Sequence, residues 1–344
     1  MTNSAPKTAL IIGATGSFGG HAAVALIKHG WRIRALARDP QAARAKTGAQ
    51  MPIDWVKGDG MVPADVIAAA QGVQVIVHAA NPPAYRNWAG TVVPMLKATL
   101  AAAEQTGARI VLPASVYNFA PDSGCSIAET APQAPVTRKG KIRVEAEELF
   151  RAASARGVRT LVVRGGDYFG PAAPNSGLQW LTVRSKGQIR WVFTPGPRDV
   201  GHCWAYLPDM AEATAQLLDQ EDRLAAFDVF HFGGHWLARA DELAASVRRV
   251  THKPRLPIRS FPYALVYAAA PFVETFREMI EMRYLWTKPI GLDNAKLIRF
   301  LGEEPHTPLD AALRTTLIDM GCLDDGAAAP AQTSRASSTM APAM

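Results

Sequence analysis

Three glycines carry the clearest chemistry in this 344-residue chain. Gly13, Gly16 and Gly19 stand three apart in Gly-Ala-Thr-Gly-Ser-Phe-Gly, directly after the apolar run Ala9 to Ile12 and before a segment with apolar residues at Ala22, Ala23, Leu26 and Ile27. Glycines in a strand-to-helix turn let the backbone come close to a phosphate. The helix that follows aims its first amides and the positive end of its dipole at that anion. The pattern reads as the phosphate loop of a nucleotide site, with a plain tight turn as the alternative. Two phenols, Tyr117 and Tyr168, fall just beyond strands, where each could pass a proton to a substrate oxygen or serve as a packed, lining aromatic. The histidines offer less. His202 beside Cys203, and His231 with His235 around two glycines, lack the helical two-histidine zinc spacing, so they read as structural and no metal site is expected.

The elements that must hold these residues alternate. Strands are expected at Ala9 to Ile12, Trp31 to Ala37, Ile53 to Val56, Val73 to Val77, Arg109 to Leu112 and Thr160 to Arg164. Helices are expected at Gln41 to Lys46, Ala64 to Ala70, Trp88 to Gln105 and Gly140 to Ala155. Such alternation implies an α/β fold with a parallel sheet and right-handed crossovers, and such sheets bind ligands at the carboxyl ends of their strands. The long loop Pro113 to Arg138 is rich in proline and serine and reads as functional or inserted. Beyond Gly170 the pattern loosens into short strands at Ile189 to Phe193 and Val229 to Phe232, with helices at Pro208 to Leu218 and Ala240 to Val250. This region is expected to form a smaller lobe over the sheet edge, with Met279, Met282, Tyr284, Leu285 and Trp286 lining it or its core. The last helix is expected to start with Thr307 as its cap and Pro308 in its first turn. The division is therefore residues 1–170 for the sheet domain, 171–324 for an interleaved lobe, and 325–344, mostly Ala, Pro, Ser and Thr, for a disordered tail.

Composition narrows the function classes. With 48% hydrophobic and 19% charged residues this is an ordinary globular balance, and the longest apolar run, Phe261 to Val273, is too short to span a bilayer. No leader precedes the first strand, and three well-separated cysteines suit a reducing compartment, so a cytoplasmic protein with no membrane partner is expected. The charge of +7 is spread along the chain, with a denser patch at Arg248, Arg249, Lys253, Arg255 and Arg259. No aromatic residues are interleaved there, so a solvated basic surface or a general pull on an anionic cofactor is read in preference to a nucleic-acid face.

Taken together, Gly13 to Gly19, Arg38-Asp39-Pro40 after the second strand, Gly58-Asp59 after the third and His78-Ala-Ala-Asn81 after the fourth resemble the short-chain dehydrogenase/reductase superfamily. The length, Val163-Arg-Gly-Gly-Asp-Tyr-Phe-Gly-Pro171, Trp204-Ala-Tyr-Leu-Pro-Asp209 and Met282-Arg-Tyr-Leu285 resemble its extended, epimerase/dehydratase-like branch. The resemblance implies a Rossmann-type doubly wound parallel sheet with a smaller C-terminal substrate lobe. It implies that Gly13, Thr15, Gly16, Ser17, Phe18 and Gly19 hold a dinucleotide pyrophosphate, that Asp59 reaches the adenine, and that Ala79, Ala80 and Asn81 run beneath the nicotinamide ribose. Arg38, with Arg34 on the same strand, points to the 2′-phosphate of NADP(H); Asp39 leaves NAD(H) open. A homodimer through the helices at 88–105 and 140–155 is a further implication.

The catalytic half of the resemblance departs from its pattern. Relatives that move hydride place a tyrosine four residues before a lysine, on one helix face. Here Lys141 fits the lysine, and the tyrosine's place holds Thr137, whose alkyl hydroxyl can orient a substrate but is far too weak an acid to replace a phenol. Ser115 matches the family serine in a contracted loop, and the proton would come from Tyr117, Tyr168 or water. Three readings follow: an NADP(H)-dependent oxidoreductase for a small carbonyl or alcohol, an NADP-binding sensor without turnover, or an epimerase/dehydratase-like enzyme of nucleotide sugars.

Overall fold

A computed structural model describes residues 6–48, 50–81 and 88–324. The expected tail at 325–344 lies outside them, as do the two prolines after Asn81. Among the described residues seven strands form one parallel sheet. Its strands are β1 (Thr8–Ile12), β2 (Arg32–Ala37), β3 (Ile53–Lys57), β4 (Val75–His78), β5 (Arg109–Ala114), β6 (Thr160–Arg164) and, much later in the chain, Phe227–His231. The spatial order is β3-β2-β1-β4-β5-β6 and then Phe227–His231, so the topological switch lies between β1 and β4. β4 and β6 are buried at every position, as their unbroken apolar runs require of strands covered on both faces.

Helices close both faces. One face carries α1 (Ser17–Lys28). The other carries α3 (Pro63–Ala69), α4 (Trp88–Thr106) and α5 (Arg138–Ser154), while the short α2 (Pro40–Thr47) links β2 to β3. The lobe begins with β7 (Asp167–Phe169), α6 (Gly177–Leu181), β8 (Thr182–Ser185), β9 (Gln188–Thr194) and β10 (His202–Tyr206). The chain then returns to the sheet domain. α7 (Leu207–Asp219) packs on α1, and β11 (Phe227–His231) pairs in parallel with β6, Phe227 opposite Thr160. The expectation that these two elements belong to the lobe is thus corrected. Both are apolar enough to be buried by the main sheet, and β6 offers an open edge.

The remaining elements are β12 (His235–Leu237), α8 (Glu242–Val250), β13 (Ile258–Ser260), α9 (Tyr263–Ala269), α10 (Glu274–Glu281), α11 (Tyr284–Thr287), α12 (Ala295–Leu301) and α13 (Leu309–Asp319). Two small sheets, β12-β10-β7 and β13-β9-β8, build the lobe around a core of Phe169, Trp204, Leu243 and Leu313. Met282 and Leu285 are buried with Phe119 and Ile127, joining the lobe to the loop after β5. Thr307 does not cap the last helix: Pro308 holds the cap position, and the Thr307 amide and hydroxyl both donate to the Asp209 carboxylate at 2.6 and 2.7 Å. That bond ties α13 to the start of α7.

The α1–α7 contact holds a titratable link. His29, at the end of α1, places Nδ1 2.5 Å from Asp219 Oδ2 and Nε2 2.9 Å from Glu212 Oε1. Burial of the ring opposes its charge, but the two carboxylates prevail and hold its pKa above the ordinary value. A raised pKa adds stability that is complete below the unfolded-state value of about 6.5 and fades as pH rises through the folded one. The stability gap between the wild type and His29→Gln, measured by urea unfolding, should therefore be widest in mild acid and narrow toward alkaline pH.

Candidate functional site

The glycine loop has the geometry of a cradle. Gly13 adopts φ +96°, and a Cβ there would sit 2.7 Å from the Ala80 amide nitrogen, so the loop lies directly against the end of β4. A Cβ on Gly19 would collide with the Gly13 carbonyl. The Gly16 amide donates to that same carbonyl at 2.9 Å, closing the turn. Gly16 is the cap residue of α1 and brings no side chain to its first amides, leaving them for a ligand anion. Thr15 and Ser17 are half-buried on the loop, whereas the Phe18 side chain goes into the core beneath α1. Side-chain-free glycine where a Cβ would clash is the fit expected of a pyrophosphate loop.

At the ends of β2 and β3, Arg38, Lys57, Gly58, Asp59 and Asp65 line an open hollow of about 410 Å³. Arg38 is exposed there. Asp39 turns one carboxylate oxygen, Oδ1, to the amides of Gln41 and Ala42, both at 3.0 Å, as the cap of α2. Asp59 accepts from the Met61 amide at 2.9 Å, and its own amide donates to Asp65 at 2.8 Å. Arg34 is removed from this end, a correction to its grouping with Arg38. Its guanidinium donates to the carbonyls of Ala69 and Gln71 past the end of α3, at 2.8 and 2.9 Å. Lys57 was missed in the sequence, although β3 ends there in register with Ala37.

The end of the candidate site near Asn81 is more crowded. Thr137 is 3% exposed and caps α5, its Oγ1 accepting from the Gly140 amide at 3.0 Å, while Lys141 is exposed on the first turn. The cation that reaches the end of β4 is Arg143, which sequence reasoning passed over: its Nη2 donates to Asn81 Oδ1 at 3.3 Å. Its charge also acts on Tyr168 and on His78, whose pKa falls to about 3, chiefly through burial. Only a search for a cation of either type along the first two turns of α5 would have found it. Four residues before Arg143 stands Lys139, 2% exposed, paired with Glu278 and 3.6 Å from Glu281, both on α10.

Of the two phenols, Tyr168 donates to the Ala114 carbonyl at 2.5 Å, and burial pushes its pKa up, so it braces the strand end. Tyr117 is half-buried between two apolar clusters. Ser115 Oγ is buried with no hydrogen-bond partner among the described residues. Its carbonyl accepts from Arg164 Nη1 at 2.6 Å. Arg164 is fully buried, and its Nη2 donates to both oxygens of Glu147 at 2.7 Å. Asn118 and Gln133 add amide donors to the same carboxylate, at 2.9 and 2.7 Å. In the lobe, His202 sets Nε2 2.7 Å from Asp167 and Nδ1 3.1 Å from the Leu285 carbonyl, with its ring stacked on Trp286 at 4.0 Å.

This architecture is the fold of the extended short-chain dehydrogenase/reductases. The Bacillus cereus UDP-glucuronic acid 4-epimerase, solved with UDP-glucuronic acid and NAD, superposes with a TM-score of 0.70 over 91% of this chain and 98% of its own, at 14% identity. DesIV of Streptomyces venezuelae, a dTDP-glucose 4,6-dehydratase solved with NAD, gives 0.70 over 90% and 96%, at 20% identity. MoeE5, solved with UDP-glucose and NAD, gives 0.69 over 91% and 98%, at 18% identity. Within the chain, residues 5–149 match the NmrA-like family. The NmrA-like family domain-containing oxidoreductases notA′ of Aspergillus versicolor and notA of Aspergillus sp. (strain MF297-2) are each 36% identical over 73 residues, 21% of this chain. That match spans only about a fifth of each relative's length, 20% and 22%.

The Arg164–Glu147 pair is the part of the site most open to a direct test. Removing one charge leaves the other buried, which costs about 3–5 kcal/mol. Glu147→Leu should lose stability on that scale in chemical denaturation, whereas the double change Arg164→Met with Glu147→Leu should recover much of it.

Proposed function

We propose that this chain is an NADP(H)-dependent oxidoreductase of the extended short-chain dehydrogenase/reductase type, acting on a small carbonyl or alcohol. The observation that carries the cofactor preference is at the end of β2. Asp39 turns one carboxylate oxygen to the cap of α2, while Arg38 and Lys57 line an open hollow. A 2′-phosphate is the anion two such cations suit. The glycine loop would take the pyrophosphate, and Asn81 with Arg143 would meet the nicotinamide ribose in the role the resemblance gives to Lys141. When bound, the nicotinamide supplies hydride chemistry at its C4. The Ser115 hydroxyl, buried without a partner, is the group placed to orient a substrate oxygen. With Tyr168 already donating to Ala114, the proton falls to Tyr117 or to water. A cytoplasmic homodimer through α4 and α5 belongs to the same reading.

One observation favours a second reading, an NADP sensor without turnover. In the register set by Arg143, the tyrosine's place belongs to Lys139, which is locked to Glu278 and Glu281 rather than open to a substrate. An epimerase or dehydratase needs a base at that place as much as a reductase does, so the nucleotide-sugar reading is the weakest.

Fluorescence titration with NADPH and NADH tests the cofactor assignment. Loss of a charge-assisted contact to the 2′-phosphate should weaken NADPH by about tenfold or more in Arg38→Ala and in Lys57→Ala, with NADH unchanged. Wild type that binds neither nucleotide would sink both readings. The same titration separates the α5 cations: Arg143→Gln should weaken both nucleotides, and Lys141→Ala neither. NADPH oxidation across a panel of small aldehydes and ketones then divides enzyme from sensor.

A further inference from the structure

Two features of the sequence have no part in the nucleotide site, and they are neighbours. From Leu243 to Val273 the chain holds no aspartate or glutamate, while it holds Arg248, Arg249, Lys253, Arg255 and Arg259. It ends in the apolar run Phe261 to Val273, which holds α9 and the turn into α10.

Only part of that run enters a core: Phe261 packs against the lobe cluster, and Val266 and Ala270 are buried. Along α9 only Val266 is buried, and α10 buries no residue at all. Leu265 is 69% exposed, Phe272 is 88% exposed, and Tyr267 and Val273 are exposed beside them. Scattered apolar residues on a surface need no account, but four large ones within nine positions form a patch of the kind that marks a docking face. Lys253, Arg255 and Arg259, which precede α9 in the chain, are exposed, and the half-buried Arg283 lies over the rings of Tyr263 and Tyr267 at 4.8 and 5.7 Å. Exposed apolar and aromatic side chains that follow a basic stretch with no acid before Glu274 match a bilayer interface carrying anionic lipid. A nucleic acid would answer the charge and leave Leu265 and Phe272 in water.

We propose that α9 and the turn into α10 dock this protein on the surface of an anionic bilayer, Leu265, Tyr267, Phe272 and Val273 entering the interface and Lys253, Arg255 and Arg259 meeting the headgroups. This is peripheral attachment, and it revises the expectation of no membrane partner. The site lies close behind the face. Tyr263, at the start of α9, feels the charge of Asp167, and α10 carries the two glutamates that hold Lys139 at the start of α5. Docking would therefore bring the mouth of the cleft to the membrane, and it stands whatever the cleft binds.

Co-sedimentation of the full chain with vesicles tests it. Wild type should pellet with vesicles of phosphatidylcholine and phosphatidylglycerol, about tenfold less with phosphatidylcholine alone, and less again as salt is raised. Leu265→Asp with Phe272→Asp, both at exposed positions, should abolish pelleting and leave the melting temperature unchanged. Lys253→Glu with Arg255→Glu should remove the preference for the anionic lipid. Wild type that stays in the supernatant with mixed vesicles overturns the proposal, as does pelleting that survives the Leu265 and Phe272 changes. Self-association by analytical ultracentrifugation that those same changes abolish, without vesicle binding, would overturn it too and assign the face to a second copy of the chain.

Discussion

The carboxyl edge of the sheet depends on one buried ion pair, Arg164 with Glu147. Taking a guanidinium and a carboxylate out of water is costly, and the cost is recovered only if both groups are saturated with good partners. Here the carboxylate accepts from Arg164, Asn118 and Gln133, and the guanidinium also reaches the Ser115 carbonyl and lies over the Phe119 ring at 5.2 Å. The pair thereby fixes β6, α5, the turn after β5 and the long loop carrying Gln133 against one another. Ser115, Tyr117, Thr137, Lys141, Arg143 and Tyr168 each stand on one of those segments or beside it. Arg164 Nε and Asn118 Oδ1 stay buried without a partner among the described residues, but the bonds that are made resist small displacements, because a shift leaves further buried polar atoms unpaired.

The two ends of the site are built on opposite physical terms. At the adenine end, side chains are exposed and the backbone does the organising: glycines open the loop, and an aspartate is diverted to a helix cap. At the other end nearly every polar group is already engaged, Tyr168 with Ala114, Thr137 with Gly140, and Lys139 with two glutamates from the lobe. A nucleotide would meet little resistance at the first end. At the second, any chemistry has to work around contacts that already hold the lobe to the sheet domain.

What could be read from the sequence was local. The glycine spacing, the strand–helix alternation and the carboxyl-end loops follow from periodicities within about a dozen residues, and they appear as expected. Asp39-Pro40 carried its own explanation as well, since an aspartate before a proline is a helix-start signal. It was weighed only as a ribose ligand. The misses were long-range. Nothing near Arg143 tells that its guanidinium reaches Asn81, and Arg34 looked like a cofactor residue until the carbonyls past α3 claimed it. Thr307 had the sequence of a cap, but Asp209, almost a hundred residues earlier, bound it first. Glu147 and Arg164 are each ordinary in sequence, and only the fold makes them partners.

The place of β11 has a consequence for the life of the chain on the ribosome. β6 is complete at residue 164, yet the strand that covers its outer edge is not made until residue 231, after two of the three strands of each lobe sheet and all of α7. In the interval the nascent sheet ends in a strand of entirely buried character with its hydrogen-bonding edge unpaired, the arrangement most prone to recruit a foreign strand. The first half is therefore no autonomous module. A fragment cut after the sheet's sixth strand should be a client for chaperones, and the lobe cannot be exchanged for another as one contiguous block without reopening that edge.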